Sequence, residues 1–284
     1  MSVAGVFARP LLATEHGEFD TGAEALAFAL ARRRGETLAA ILPVTSNPEF
    51  EMVAPQLAAK ADAEAADRAR ALEAAAHAAG VELELQVRRG PEPYLEIVGE
   101  ARERAADLIV IRRRGKRGFL ANLLIGEMVT KVVAHAPCDV LIAPRGVAMW
   151  SRRVLLGVDP AEPDAGALAV AARVAAAAGV PLRIVCVAAH ELQRAQADTA
   201  VAEAMRQARA SHGEVVGEVR IGRPHQALID AAREHDADLI VVGRHGREGL
   251  ARAWIGGTAQ RVIGLADGAV LVHVHAPATP ATRR

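Results

Sequence analysis

The sequence predicts an α/β protein made of two tandem doubly wound domains, each a five-stranded parallel sheet flanked by helices. Three observations carry this expectation. Short apolar runs alternate with Ala-rich amphipathic stretches, the pattern of βαβ units covered on both faces. The apolar mass is aliphatic, because hydrophobic residues make up 51% of the chain and aromatics only 3%. The chain is also written twice: Ala106-Asp107-Leu108-Ile109-Val110-Ile111 returns as Ala237-Asp238-Leu239-Ile240-Val241-Val242.

Taken in order, Leu11-Leu12-Ala13-Thr14-Glu15 matches Leu155-Leu156-Gly157-Val158-Asp159 as a first strand and its end. Pro55 to Ala79 is one long helix rich in Ala and charges, read as a solvated amphipathic helix with a partner-binding face as the alternative. Arg89-Gly90-Pro91 matches Ile221-Gly222-Arg223-Pro224, a turn before a helix. Cys138 to Ile142 and Ala269 to His273 are the closing strands. The offset between copies is about 130–145 residues, too long for a solenoid and suited to a duplicated domain. Pro144-Arg145-Gly146 breaks the pattern between the copies. The expected domains are 1–146 and 151–276, with a Pro- and Thr-rich mobile tail at 277–284.

Within the second copy, strand Val154–Val158 precedes helix Ala165–Ala178, strand Leu182–Val187 and helix Glu191–Ala210. Strand Glu214–Arg220, helix Pro224–His235, strand Leu239–Gly243, helix Thr258–Leu265 and strand Ala269–Val274 complete it. Right-handed crossovers follow from chain chirality. The edges Val140–Ile142 and Val270–Val274 are apolar and poorly suited to face solvent. They are expected to pair within one chain, making a pseudo-two-fold internal dimer.

Formal net charge is zero, which gives no bulk attraction to nucleic acid or to an anionic membrane. No apolar run approaches the length of a membrane span. Met1 to Leu12 lacks a basic leader followed by a long apolar segment, so a cytoplasmic location is expected. Cys138 and Cys186 have no metal-ligand spacing and read as buried free thiols.

Val241 to Leu250, closing at Gly256-Gly257-Thr258, places a glycine-rich turn between a buried strand and a helix. Such a turn presents backbone N–H groups, and the helix start adds positive partial charge, a combination that favours phosphate. With strand order 3-2-1-4-5, the ligand crevice lies between the first and fourth strands, where Asp159 and Gly243 both end. Asp159 there accepts hydrogen bonds from ribose hydroxyls; its plainer role is a helix cap. His245 reads as a loop residue rather than a catalytic base. His273 and His275 share one strand face, but no third ligand is evident, so no metal is assigned. Arg112 to Arg117 lacks interleaved aromatics and reads as a solvated loop rather than a nucleic-acid patch. Trp254 is expected to pack the glycine loop down.

These residues carry a resemblance. Gly243-x2-Gly246-x9-Gly256, with His245-Gly246-Arg247-x-Gly249-Leu250-x-Arg252 around it, resembles the ATP-binding signature of the universal stress proteins. Ala136-Pro137-Cys138-Asp139-Val140-Leu141 is similar to the family's approach to its last strand. The likeness spans nearly the whole chain as two tandem domains. It implies a five-stranded α/β fold and, in one subclass, bound ATP. Position by position, Asp159 would hold the ribose, and the backbone at Val187 would meet adenine. Gly243, Gly246 and Gly256 would frame the phosphates, with Gly257 and Thr258 at the helix start. Gly157, Val158 and Val242, beside these on the strand ends, complete the cofactor-binding set. The family usually carries Ser or Thr directly after the last glycine; here that place is Gly257, and the hydroxyl comes one residue later.

The first copy departs further. Arg112 stands where the first motif glycine would be, Glu15 replaces the Asp, and Gly115 to Gly126 is one residue longer than its counterpart. It is expected to bind ATP weakly or not at all, although Arg112 to Arg117 offers charge for another anion. The leading reading is a nucleotide-binding stress-response or signalling protein holding ATP, with or without Mg2+, in its second domain; AMP and ADP are alternative ligands. The sequence shows no general base, no Walker lysine and no carboxylate cluster for metal, so fast hydrolysis is not expected. The alternatives are an interaction scaffold without nucleotide and, after it, a slow ATPase. Homodimerisation of the tandem chain and a protein partner of unassigned kind stay open.

Overall fold

The computed structural model describes residues 5–113, 126–244 and 254–275. The first domain runs β1 (Pro10–Ala13), α1 (Thr21–Arg34), β2 (Leu38–Thr45), α2 (Pro48–Val53), α3 (Pro55–Ala78), β3 (Leu83–Gly90), α4 (Pro93–Glu103), β4 (Leu108–Arg112), α5 (Glu127–His135) and β5 (Asp139–Ala143). The second runs β6 (Val154–Val158), α6 (Ala165–Ala178), β7 (Leu182–Ala188), α7 (Arg194–Ala208), β8 (Val215–Ile221), α8 (Pro224–Glu234), β9 (Leu239–Gly243), α9 (Gly257–Leu265) and β10 (Ala269–His273). The expected tail at 277–284 lies outside the described residues.

The strands form one ten-stranded sheet in the order β3-β2-β1-β4-β5-β10-β9-β6-β7-β8. Each half has the expected order 3-2-1-4-5 and is parallel throughout. The halves join at β5 and β10, which run antiparallel with Val140 opposite Val272, Leu141 opposite Leu271 and Ile142 opposite Val270. The register is symmetric about Leu141 and Leu271, so the internal pseudo-two-fold axis passes between them. Two apolar edges thus cover each other.

Alternate residues along each strand point to opposite faces, and each face carries its own core. Leu12, Val110, Leu141 and Leu271 pack against α1, α3, α6 and α7. Leu11, Ile109, Ile111, Val140, Ile142, Val270 and Val272 pack against α4, α5, α8 and α9. Both cores run across the junction. The repeated aspartates tie strand beginnings together: Asp107 accepts from the backbone N–H of Arg9, and Asp238 from those of Ser151, Arg152 and Arg153. The connecting segment turns at Gly146, in the left-handed region at φ 70°, and inserts Trp150 into the core. Two arginines reach across the axis. Arg113 donates to the carbonyl of Ala266 beyond α9, and Arg244 to that of Ala134 near the end of α5 at 3.1 Å, where helix dipoles favour cations.

Two elements differ from expectation. The helix expected over Glu191–Ala210 opens as a 3-10 turn, Glu191–Gln193, before α7. The long helix is preceded by a separate short one, α2, because Pro55 lacks the N–H needed to continue it. In α3, Ala65, Leu72 and Ala76 are buried and most of the surface faces water, as the amphipathic reading expects. Among the described residues, no helix is long and apolar enough to cross a membrane.

Leu271 stands at the centre of the seam and is 1% exposed. Leu271→Ala is expected to lower unfolding free energy by about 2–5 kcal/mol, read as a reduced urea midpoint. Cys138 and Cys186 are both free and buried, and burial, then nearby carboxylates, push each thiol up to about 12. Neither is expected to react with a disulfide reagent at pH 8 until denaturant is added, which a colorimetric thiol assay reads directly.

Candidate functional site

Beyond the carboxyl ends of β6 and β9, where the strand order reverses in the second domain, lies a cavity of about 640 Å³. That volume falls in the range of roughly 300–1,000 Å³ typical of small-molecule sites. Gly157, Val158 and Asp159 form its β6 wall, and Val242 and Gly243 its β9 wall. Val187 closes one side from β7, and Gly256, Gly257 and Thr258 line it at the start of α9. Gly246 and His245 lie outside the described residues.

The chemistry of the walls is uneven. The N–H groups of Gly257, Thr258 and Ala259 open α9, ahead of the first i→i−4 bond, from Gln260 N to Gly256 O at 2.9 Å. The Gly256 N–H is already engaged, donating to the carbonyl of Arg244 at 2.9 Å. Asp159 does not cap a helix. Its Oδ1 accepts from Ala161 N at 2.8 Å in a local turn, and among the described residues its other oxygen has no partner. The cap of α6 is Asp164, whose Oδ1 accepts from Ala167 N at 2.9 Å. The field near α8 is positive: burial first, then Arg261 and Arg223, hold His225 below its ordinary pKa.

Sequence reasoning missed several of the walls. Asp164 lines the cavity, and its Oδ2 lies 2.6 Å from where a Cβ on Gly243 would stand, so a side chain there would have to displace the carboxylate. Trp254 stands 57% exposed at the cavity wall, and its neighbour Ile255, 2% exposed, enters the core; the glycine loop that Trp254 is expected to pack down lies outside the described residues. Arg244, also lining the cavity, is drawn toward α5 by its bond to Ala134.

The matching place in the first domain holds a cluster of charges. Arg112 holds the place of Gly243, and it is buried rather than solvated, at 6% exposure. Its guanidinium meets Glu15 at 2.8 Å and Asp20 at 2.8 Å. Burial pulls the Arg112 pKa down, but Asp20 and Glu15 outweigh it and hold it above the ordinary value. Glu15 is therefore spent on an internal ion pair. The remainder of the Arg run, from Arg114, lies outside the described residues.

The family model described as the universal stress protein family matches residues 9–144 and again 151–275. The chain belongs to the universal stress protein family. It is a tandem member, both halves carrying the fold. It resembles a universal stress protein of Archaeoglobus fulgidus DSM 4304 at 20% identity, covering 96% of this chain and 99% of that one with a TM-score of 0.69, a likeness of fold. A universal stress protein of Synechocystis sp. is 38% identical over 58 residues, which are 20% of this chain and 38% of the relative. A shorter universal stress protein, solved in complex with cAMP, is 26% identical over 45% of this chain and 100% of its own, with a TM-score of 0.38.

Arg112→Ala would leave Asp20, 1% exposed, as an uncompensated buried carboxylate. The expected cost is about 3–5 kcal/mol, measured by chemical denaturation at neutral pH. A loss below 1 kcal/mol would mean that the pair does not hold the first crevice shut.

Proposed function

We propose that this universal stress protein binds one adenine nucleotide, ATP in the leading case, in the crevice of its second domain. The carrying observation is the contrast between homologous crevices. One is filled by an Arg112 ion-pair cluster, and the other is open, floored by glycine and bordered by the start of α9. In this reading the free carboxylate oxygen of Asp159 takes a ribose hydroxyl, and the Val187 backbone meets the adenine edge. The N–H groups of Gly257, Thr258 and Ala259, with the helix dipole, attract the phosphates. Gly243 and Gly256, at the two ends of the described wall, leave room for them. The Thr258 hydroxyl, one place later than is usual in the family, is a less direct phosphate ligand than the amides.

A bound nucleotide acts by preferring one conformational state over another, and a protein partner reads the difference. Binding of this kind suits a stress-response or signalling role rather than rapid turnover. A second reading, a scaffold without nucleotide, draws on two observations: the Gly256 N–H is already engaged, and the Asp164 carboxylate stands beside Gly243, where it repels phosphate.

Calorimetric titration of the full chain with ATP is expected to give one site. Asp159→Ala is expected to weaken binding roughly ten- to a hundredfold, the value of one charge-assisted hydrogen bond. Two sites of equal affinity would refute the asymmetry between domains. No binding, together with no nucleotide released from the denatured purified protein, would favour the scaffold. Phosphate release in many rapid turnovers would contradict the non-enzymatic reading.

A further inference from the structure

Comparing the two domains shows a cation that the second one lacks. Asp20, just ahead of α1, is neutralised by Arg112 at 2.8 Å. Asp164 holds the matching place ahead of α6, but the residue corresponding to Arg112 is Gly243. The carboxylate has been kept and its guanidinium removed. The second domain adds two imidazoles in exchange. His273, beside Gly243 in the sheet register, stands where the first domain has Ala143 beside Arg112. His275 follows two residues later, with its Nε2 3.6 Å from Asp164 Oδ1.

We infer that Asp164, His273 and His275 form a binding site for a divalent transition-metal ion of the zinc class, at the rim of the second-domain cavity. One ligand atom from each residue lies within 4.8 Å of the others. Zinc–nitrogen and zinc–oxygen bonds of about 2.0–2.2 Å place tetrahedral ligand atoms roughly 3.4 Å apart. His275 Nε2 and Asp164 Oδ1 already stand 3.6 Å apart, close to that spacing, and the His275 ring, 71% exposed, meets the His273 ring edge-on at 5.1 Å. Two imidazoles and one carboxylate are the donors of zinc and its transition-metal neighbours, whereas Mg2+ and Ca2+ take oxygen shells.

The surroundings are built in the way metal-bound histidines require. His273 Nδ1 meets Asp139 Oδ1 at 2.8 Å across the β5–β10 seam, and the same oxygen accepts the Val274 N–H at 3.0 Å. A carboxylate on one ring nitrogen fixes the tautomer and turns the other nitrogen toward the ion. That other nitrogen, Nε2, lies against Gly166, where a Cβ would come within 2.2 Å of it. Gly166, two residues past Asp164, thus leaves the space that the His273 ring occupies beside the start of α6. Asp164 caps α6 through Oδ1, the oxygen that also faces His275 Nε2, while Oδ2 lies toward Gly243, so the carboxylate is held in place beside both imidazoles. The bound ion supplies the positive charge that Arg112 provides in the first domain. The site stands whether or not nucleotide binds.

The test uses the full chain, stripped with a chelator and held free of nucleotide. Zn2+ is titrated in competition with a chromophoric indicator, and Co2+ is added separately to read its visible d–d bands. One equivalent of zinc per chain is expected, with strong d–d absorption from four- or five-coordinate cobalt. His275→Ala removes an exposed side chain beyond the end of β10, so folding is retained, and affinity is expected to fall at least tenfold. Asp139→Asn is expected to weaken binding by about tenfold through the lost orientation of His273. Absence of zinc binding at micromolar concentration, or affinity unchanged in His275→Ala, would overturn the proposal. Because no nucleotide is present, either result leaves the ATP reading to its own titration.

Discussion

The antiparallel pairing of β5 with β10 is the contact on which the rest of this molecule depends. A doubly wound domain of this order ends on an apolar strand with unpaired backbone groups, and water is a poor neighbour for Val140, Ile142, Val270 and Val272. Each terminal strand satisfies the other, residue for residue about Leu141 and Leu271. The two helical layers then continue across the junction, and Arg113 and Arg244 fasten each domain to a helix of the other. Duplication within one chain makes this pairing intramolecular, so no encounter between chains is required for it.

The same backbone carries two different crevices. At the end of the fourth strand, one residue decides between them. Arg112 brings a guanidinium into a place already bordered by Glu15 and Asp20, and the three charges pair there. Gly243 brings nothing, and the space remains open as far as Asp164 and Asp159.

The seam also reaches the rim of the open crevice. Asp139 belongs to the first domain by sequence, yet its carboxylate orients His273 of the second. Burial lowers the His273 pKa, but the bond to Asp139 and the field of Asp139 and Asp164 outweigh it and hold it above the ordinary value. The result is a place where the junction between domains and the local charge at the crevice are coupled through a single imidazole.

Much of the fold was legible in the residues themselves. The duplicated Ala-Asp-Leu-Ile-Val runs, the breaks at Gly and Pro, and the apolar closing strands locate the strands to within a residue or so, because burial on both faces demands continuous aliphatic sequence. Strand order anticipated that Asp159 and Gly243 would face one crevice, and the family resemblance added Gly157, Val158, Val187, Val242, Gly256, Gly257 and Thr258, all of which line the cavity. Other features were decided by tertiary packing. Nothing local marks Arg112 as buried, because a charged side chain is buried only when partners such as Asp20 arrive from elsewhere in the chain. The helix start expected at Ala165 makes Asp164 the local cap, but nothing local sets Asp164 beside His273 and His275. Periodicity reports which face a residue shares with its near neighbours, but the distance between side chains on separate elements is set only once the sheet has closed and the helices have settled on it.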